Sequence, residues 1–303
     1  MNLKKNISKA DWNNFLINSD QHNVFSEYRY LDILEYKFSN YVLEKDGDYL
    51  CGLILFEENL NEIPIIYNSI ILNKKIKKPH KKTEIISKFL ELLNKEKTKI
   101  HVRSHYSLDD IRAFSWFNYH EKDKSKKFEI LPFYTGIIDI SNKTFEDILF
   151  NFSYSRRREM KIAKEKYFTK ESVEFKKFDD LNKLTFNRTK ERDSLEFFFS
   201  NQLLKMSIEN NFGSCLITEN KKKEPIAASF FIHDHNCSYY IAGGFNKKEE
   251  DKYASSLNIA EHINYCVKKK QKLIDFCGVN SPDRGFFKTS FGAKLSLYFE
   301  MIL

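Results

Sequence analysis

The sequence predicts an α+β protein with mixed, mainly antiparallel sheets flanked by helices. Both halves of the 303-residue chain show the same order of patterns: a helix, a three-strand meander, a second helix and two further strands. Hydrophobic residues make up 42% of the chain and aromatic residues 15%, which is enough to build a core in each half. This composition excludes a natively disordered chain.

The first half begins with apolar residues at helical spacing over 25–38. A β-hairpin follows, because Asp46 and Gly47 separate two apolar runs and both residue types tolerate a positive φ. Thr83 is the predicted N-cap of the next helix. The strands predicted in this half are 41–43, 49–56, 65–72, 100–103 and 130–140, and the second helix covers 86–93.

The second half repeats this order, with predicted helices over 195–208 and 257–267 and predicted strands over 214–218, 226–233, 238–242, 273–277 and 295–303. Around 141–145 a strand gives way to a helix start with an acidic first turn. We therefore predict an N-terminal domain, 1–140, and a C-terminal domain, 141–303. The last strand could pack back towards the first domain.

Several function classes lack their sequence requirements. The chain has only nine Gly, with no GxGxxG after a strand and no GxxxxGK[ST], so dinucleotide and P-loop sites are excluded. Five Cys without a CxxC pair suggest neither a disulfide framework nor a zinc site. No segment approaches the ~20 apolar residues of a membrane span, and no secretion signal is visible. These features favour a cytoplasmic location.

The positive charge of the chain is a weaker guide to its partners. Lys and Arg total 50 against 42 Asp and Glu, a net charge of +8. Only nine of the basic residues are Arg, and Lys is spread over the whole chain. The total alone permits a basic RNA-binding module without catalysis, which would bind more weakly as salt rises.

The most distinctive stretch is DFCGVNSPDRGFFKTSFGAKL, residues 275–295, which predicts a strand followed by a loop rich in Gly. Phe287 and Phe291 flank Lys288 and place its ammonium beside apolar surface. There it can neutralise a phosphate or a developing oxyanion more strongly than in open water. The alternative is a surface loop that closes a hairpin.

A second stretch, SYSRRREMKIAKEK at 153–166, sets three Arg side by side and includes Arg157 and Arg158. The bidentate donors of Arg suit phosphate or carboxylate groups. A solvated basic helix start is an equally good interpretation.

A third stretch, SYYIAGGFNKKEEDKYASSLNIAEHI, ends a predicted strand at Gly243 and Gly244 and begins a helix near Ala254 and Ser255. The free N–H groups of a helix start could receive a pyrophosphate. An ordinary strand–loop–helix connection explains the segment equally well.

Two weaker signals remain. In TKERDSLEFF, Arg192 precedes an aromatic run that could hold its guanidinium for an anionic acceptor. The pairs His101 with His105 and His233 with His235 have metal-like spacing. Neither pair has a convincing third ligand nearby in sequence, so no metal site is expected.

Together these segments resemble the Fem-type (FemAB/FemX-like) branch of the GNAT acyltransferase superfamily, which has tandem GNAT-like domains. The likeness spans nearly the whole chain, and FCGVNSPDRGFFKTSFG is its most specific motif. The less specific segments are WNNFLINSDQHNVFSEYRYLDIL, DIRAFSWFNYH, PFYTGIIDI, SRRREMKIAKEK and TKERD.

The resemblance implies transfer of an acyl or aminoacyl group to an amine on an envelope precursor, amino sugar or lipid. It implies catalytic roles for Lys288 and Tyr240. It also implies that Arg192 and Arg103 contact the substrate. From the segments described above we further expect substrate binding by Arg157, Arg158 and Phe287, and donor binding by Gly243, Gly244, Ala254 and Ser255.

The donor expected from the resemblance is acyl-CoA or aminoacyl-tRNA as co-substrate, with no tightly bound cofactor. A tRNA or an acyl-carrier protein is a possible partner, and contact with a membrane surface is compatible with the sequence. The chain lacks a long helical-hairpin insertion, and RSHYSLDD replaces the RxDPxW-like segment. Both departures favour an acyl thioester over aminoacyl-tRNA.

The expected mechanism is direct attack of the acceptor amine on the donor carbonyl. A backbone N–H near Tyr240 and the Lys288 ammonium would share the negative charge of the tetrahedral intermediate. The general base stays open between Asp109, Asp110 and a phosphate of the acceptor.

Overall fold

The computed structural model describes residues 1–97, 99–189, 201–246 and 253–303. The chain forms two compact units: Met1–Phe133 together with Leu297–Leu303, and Tyr134–Ser296. Strand β6 (Glu129–Asp139) contains the start of the second unit at Tyr134, and the end of the predicted domain, residue 140, directly follows the strand. Strand β12 (Lys294–Ile302) contributes its residues from Leu297 onward to the first unit.

The first unit contains a four-stranded sheet in the order β1-β2-β3-β4. Its further strand β5 pairs antiparallel with β12, so that Met301 lies opposite Val102. Besides β12, the elements of this unit are β1 (Asn2–Lys5), α1 (Lys9–Ile17), α2 (Tyr28–Leu31), β2 (Phe38–Lys45), β3 (Asp48–Phe56), β4 (Ile71–Leu72), α3 (Pro79–Glu96), β5 (His101–Arg103) and α4 (Arg112–Ser115).

The predicted hairpin of the first unit is confirmed. Strands β2 and β3 pair from Phe38 opposite Phe56 to Lys45 opposite Asp48. Asp46 and Gly47 take φ values of 54° and 86° in the turn between them. This left-handed region is the one that Asp and Gly tolerate best, so the local sequence fixes the register of the hairpin.

Three expectations in the first unit are wrong. The helix predicted over 25–38 is a single 3₁₀ turn (Val24–Ser26) followed by the short α2, because Glu27 between them is extended and Glu35 takes a left-handed φ of 56°. The third strand shortens to Ile71–Leu72. Thr83 is not an N-cap: α3 starts one turn earlier with Pro79 at its first position, and Thr83 Oγ1 donates to Pro79 O.

The second unit contains six neighbouring strands in the order β6-β11-β10-β9-β8-β7. The meander β8-β9-β10 is antiparallel, whereas β10 and β11 are parallel and joined through α9, as the predicted element order requires. Besides β6, the elements of this unit are α5 (Phe145–Phe150), α6 (Tyr154–Lys164), β7 (Tyr167–Glu171), α7 (Phe175–Thr189), α8 (Asn201–Glu209), β8 (Gly213–Asn220), β9 (Pro225–His233), β10 (Cys237–Phe245), α9 (Ala254–Lys268), β11 (Leu273–Asp275) and α10 (Pro282–Thr289).

Each unit has its own core. In the first unit, the apolar face of α3 with Ile86, Phe89 and Leu93 packs in a cluster that also contains Met301. In the second unit, Phe231, Ile263 and other buried residues form a separate cluster. Both units thus combine sheets with covering helices, which confirms the predicted α+β class. Among the described residues, no helix is long and apolar enough to cross a membrane.

The stretch 275–295 differs from its prediction. The segment expected to be a loop contains helix α10, with Pro282 at the start and Lys288 in the last turn. Pro is well accommodated in the first turn of a helix, because the N–H groups of that turn have no intrahelical acceptor and the N–H that Pro lacks is not needed. Lys288 is therefore held on a regular element, one turn before the left-handed Gly292.

Candidate active site

In the second unit, the parallel strands β10 and β11 pair over the first three residues of β10 and the whole of the short β11. Their register runs from Cys237 opposite Leu273 to Tyr239 opposite Asp275. On the other side of β10, pairing with β9 skips Ile241 in a β-bulge. A bulge locally increases twist, and here it lies just beyond the last β10–β11 pair. From Tyr240 onward, β10 therefore continues without β11 as a neighbour.

Helix α7 binds the far end of β10. Asn182 Nδ2 donates to Gly243 O over 3.1 Å, and Phe245 N–H donates to Thr185 Oγ1 over 3.0 Å. These side chains take the place of a neighbouring strand for two backbone groups. The glycine at 244 allows this approach, because a Cβ there would collide with the α7 backbone at Leu181.

After β11 the backbone makes a tight turn. Cys277 and Gly278 both have a positive φ, 53° and 97°. The buried Asp275 carboxylate accepts hydrogen bonds from the Thr135 hydroxyl and from Cys277 N–H, and Thr135 Oγ1 accepts from Gly278 N–H over 3.1 Å. This network fixes the turn and orients the carbonyls of Phe276 and Gly278 towards α10.

Lys288 is held by this turn. Its Nζ donates to Phe276 O over 2.7 Å and to Gly278 O over 2.8 Å, and it lies 5.1 Å from the centre of the Tyr240 ring. An ammonium has three N–H groups, so one is left for the ring face or for a substrate oxygen. Burial lowers the pKa of Lys288 to about 8.

Gly285 explains how α10 comes so close to the turn. A Cβ at this position would collide with Val279 O, and Gly285 N–H donates to Ser281 O over 2.7 Å inside the helix. Only glycine fits at this contact. Lys288, three residues later, therefore reaches the two carbonyls from a fixed distance.

Tyr240 supplies the second polar group at this place. Its ring packs against Phe231 and Phe276, with centroid distances of 5.3 and 6.0 Å. Burial raises the pKa of Tyr240 well above its ordinary value, so the phenol stays protonated at neutral pH, where it can donate a hydrogen bond but cannot act as a base. A Cβ on Gly243 would collide with the Tyr240 hydroxyl, so this glycine gives the phenol its space.

Sequence reasoning missed Arg156, which joins α6, α9 and α10. Its Nε donates to Ser290 Oγ and its Nη1 to Ser256 Oγ, both over 2.7 Å, and it also pairs with Glu159. The guanidinium lies 4.5 Å from the centre of the Phe287 ring. Helical spacing could have identified Arg156, because it lies on the same helix face as the apolar Met160 and Ala163, which are buried.

The structure places the other predicted residues of the second unit as follows. Arg157 Nη1 donates to Phe150 O and Phe152 O, and Arg158 is exposed. Phe287 has one face against Arg156 and contacts Phe291. Their roles in substrate binding stay predictions. Arg192 lies outside the described residues.

The start of α9 has an unusual cap. Tyr253 at the N-cap has φ 76° and gives no side-chain hydrogen bond to the helix. Ala254 is buried, and Ser255 Oγ is a buried atom without a hydrogen-bond partner among the residues that the structure describes. In the preceding strand, Gly243 leaves space for the Tyr240 hydroxyl and Gly244 leaves space for the backbone of α7. Donor binding at these four residues stays a prediction.

Arg103 belongs to the first unit, within a paired cluster. Its Nε donates to Glu300 Oε1 over 2.7 Å, and the same oxygen lies 2.8 Å from His101 Nε2. Arg103 also donates to backbone carbonyls of Leu60 and Ile65 over 3.3 and 3.4 Å. His101 and Arg103 lower the pKa of Glu300 to about 2.

Asp110, considered from the sequence as a general base, is engaged in the first unit. It accepts hydrogen bonds from Arg112 and from Thr83 Oγ1. The Arg112 guanidinium is the main cause that lowers the pKa of Asp110 to about 2. A carboxylate of that pKa is a weak base at neutral pH.

The protonated phenol of Tyr240 and the ammonium of Lys288 thus lie close together just beyond the last pair of β10 and β11. Both groups donate hydrogen bonds, and neither is neutralised by a direct carboxylate hydrogen bond among the described contacts. Fixed donors in a half-buried setting stabilise a negative charge that appears on a carbonyl oxygen.

Comparison with known proteins places this cluster in a family context. Residues 198–299, which include Tyr240 and Lys288, match the model of the FemAB family. The crystal structure of FemX superposes with a TM-score of 0.71 at 12% identity, covering 99% of this chain and 97% of FemX. The chain has the Fem-type, GNAT-like fold. This confirms the resemblance predicted from the sequence.

Two further solved structures share this Fem-type, GNAT-like fold. L-PGS from Bacillus licheniformis matches with a TM-score of 0.56 at 12% identity, covering 97% of this chain and 91% of L-PGS. A tandem GNAT protein from the clavulanic acid biosynthesis pathway matches with a TM-score of 0.57 at 6% identity, covering 99% and 98%. No curated protein sequence matches the chain. Family match and fold together support an acyl- or aminoacyltransferase.

Proposed function

We propose that the chain transfers an acyl or aminoacyl group from an activated donor to a primary amine, without a covalent enzyme intermediate. The observation that carries this proposal is the Lys288 ammonium, held by two carbonyls over the Tyr240 ring inside the region that matches the FemAB family. The resemblance of the fold to FemX and to a tandem GNAT protein supports the same reaction class.

In the proposed reaction, the neutral acceptor nitrogen attacks the donor carbonyl carbon and forms the new C–N bond. The carbonyl π electrons move to the oxygen, where Lys288 and Tyr240 donate hydrogen bonds to the oxyanion. The oxyanion then collapses and expels the donor's thiolate or ribose oxygen. The proton lost by the attacking nitrogen ends on the leaving group.

Lys288 acts in this scheme as a fixed positive charge. Its pKa of about 8 leaves it mostly protonated near neutral pH. The donor carbonyl gains a full negative charge only in the tetrahedral intermediate, so the ammonium stabilises that state more than the ground state. Two hydrogen bonds to neutral carbonyls orient the nitrogen without cancelling its charge.

The identity of the donor is a further part of the proposal. The sequence departures favour an acyl thioester ahead of aminoacyl-tRNA, and the acceptor is proposed to be an envelope precursor, amino sugar or lipid. A direct test incubates the purified protein with labelled acyl-CoA or with a mixture of charged tRNAs, each with a cell-envelope extract. The mass shift of the product identifies the group transferred and the acceptor.

Lys294→Met is the matched control for Lys288→Met, because Lys294 is an exposed lysine six residues further along the chain. We expect product with the wild type and the control, and a loss of product with Lys288→Met. If no donor gives product while the protein binds RNA in a salt-dependent way, the chain is a non-catalytic RNA-binding module and the proposal is wrong.

A further inference from the structure

One corner of the second unit exposes aromatic side chains to an unusual degree. Among the described residues, the most exposed large hydrophobic side chains are Phe150 at 80%, Tyr154 at 75% and Phe286 at 71%. We call these three residues the aromatic corner. Tyr119 and Val173 follow at 64%. Large apolar side chains exposed together are typical of an interaction surface.

Backbone contacts join the segments that contain the three residues. Ser153 N–H, next to Tyr154, donates to Ser290 O over 2.9 Å, and Ser290 N–H donates to Phe286 O over 3.1 Å. Asn151, next to Phe150, packs so closely on Gly292 that a Cβ there would collide with it. The end of α5, the start of α6 and the end of α10 therefore meet at one place.

Helix α6 adds positive charge beside these rings. Tyr154, Arg157, Arg158 and Lys161 lie at positions i, i+3, i+4 and i+7, which form one face of a helix, and all four are exposed. The buried residues of α6, Met160 and Ala163, lie on another face. Leu295, 55% exposed, adds an aliphatic side chain three residues after Gly292.

We propose that the aromatic corner docks on the surface of an anionic lipid bilayer. Aromatic rings settle at the boundary between headgroups and acyl chains, and Lys and Arg beside them attract anionic headgroups. A second copy of the chain would bring the same cations face to face, which is unfavourable. Single-stranded nucleic acid would also stack on the rings, so RNA binding is one of the outcomes that the test distinguishes.

This inference is independent of the transfer reaction, because docking needs neither donor nor acceptor. The assay is co-sedimentation of the full chain with vesicles of phosphatidylcholine, with and without phosphatidylglycerol. The wild type should bind the vesicles that contain phosphatidylglycerol, more weakly as salt rises, and should leave the pure phosphatidylcholine vesicles mostly unbound.

Two sets of variants separate the apolar and the charged contribution. Phe150→Gln/Tyr154→Gln/Phe286→Gln should weaken binding to the anionic vesicles by about tenfold or more. Arg158→Gln and Lys161→Gln should each weaken it by about fivefold. The matched control is Tyr119→Gln/Val173→Gln, which removes the next most exposed side chains and should bind as the wild type does. Thermal unfolding confirms that each variant is folded.

Two results would overturn the proposal: absence of wild-type binding to the anionic vesicles, and unchanged binding of the triple variant. If the wild type does not bind vesicles and the triple variant loses self-association in sedimentation, or RNA binding, the corner belongs to a second copy or to RNA. The labelled-donor assay reports on the transfer reaction separately.

Discussion

Both units contain a three-strand meander followed by a helix and a strand, but the partners of their cations Arg103 and Lys288 differ. In the first unit, Arg103 is neutralised by Glu300, and the carboxylate has His101 as a second partner. In the second unit, the hydrogen bonds of Lys288 go to two uncharged carbonyls. A neutralised cation holds structure together, whereas a cation held by dipoles keeps its charge available for a substrate.

The third strands of the two meanders differ in length and in their neighbours. The third strand of the first meander, β4, has only two residues and pairs with β3 alone among the described strands. The third strand of the second meander, β10, has nine residues, a bulge and a neighbour that leaves it after Tyr239. Only the second unit therefore has a long strand that opens beside a cation.

The largest effect is expected from Lys288→Met. Removal of a donor to a developing oxyanion lowers kcat by roughly 10²–10³-fold, and the exposed Lys294→Met should leave kcat unchanged. Steady-state kinetics on the folded variants give the measurement. Wild-type turnover of Lys288→Met with an identified donor and acceptor would remove this lysine from the mechanism and erase the proposed contrast between the units.

The next effect concerns stability in the first unit. Arg103→Met leaves the nearly buried Glu300 carboxylate without its guanidinium, and we expect a loss of about 2–3 kcal/mol in the free energy of unfolding. Lys9→Ala, which breaks the exposed pair with Asp32, should cost about 0.5 kcal/mol or less. Urea denaturation measures both.

Kinetics on the same variant sharpen the comparison. If Arg103 binds substrate, as the resemblance implies, Arg103→Met raises KM at a temperature where the variant is fully folded. If the residue only holds the first unit together, KM stays at the wild-type value.

The pH profile tests the ionisation of Lys288. The ammonium form is fully present below its folded pKa of about 8 and is lost as pH rises through that value. The acceptor amine becomes neutral as pH rises, so kcat should first increase and then fall by about tenfold per pH unit above 8. Lys288→Arg should retain its charge and lose the falling limb. A falling limb that persists in this variant assigns the ionisation to another group.

A smaller effect is expected from Arg156→Lys. The lysine keeps the charge but cannot bond Ser290, Ser256 and Glu159 together, nor stack on Phe287 in the same way. We expect kcat to fall by about five- to tenfold because α10 positions Lys288 less firmly. The exposed Lys166→Arg, the converse exchange just beyond the end of α6, serves as control for kcat. Equal losses in both variants would argue against a positioning role for Arg156.

Local chemistry made parts of the fold predictable. The turn at Asp46 and Gly47 and the meander over 213–245 follow from turn residues and alternating apolar patterns, and their strands lie within a few residues of the prediction. The helix predicted over 25–38 failed because the backbone leaves helical geometry at Glu27 and Glu35, although Phe25 and Tyr30 are buried as the spacing predicts. The apolar spacing does not report such breaks.

The candidate site was predictable in part. Lys288 could be selected from its flanking aromatic residues, but its two carbonyl partners depend on the turn after β11, twelve and ten residues earlier in the chain. Arg156 was hidden in a run of three arginines, and only the buried face of α6 separates it from its neighbours. Contacts across the fold, such as Arg156 with Ser256 and Ser290, have no trace in the spacing of one segment.

The return of the chain at Leu297–Leu303 has a consequence for biosynthesis. These residues belong to the first unit, where Met301 is a fully buried core residue and lies opposite Val102 in the sheet. A ribosome exposes Met1–Phe133 long before it makes them. The N-terminal unit must therefore wait, with an open sheet edge and an unfilled core position, until Leu297–Leu303 emerge from the ribosome.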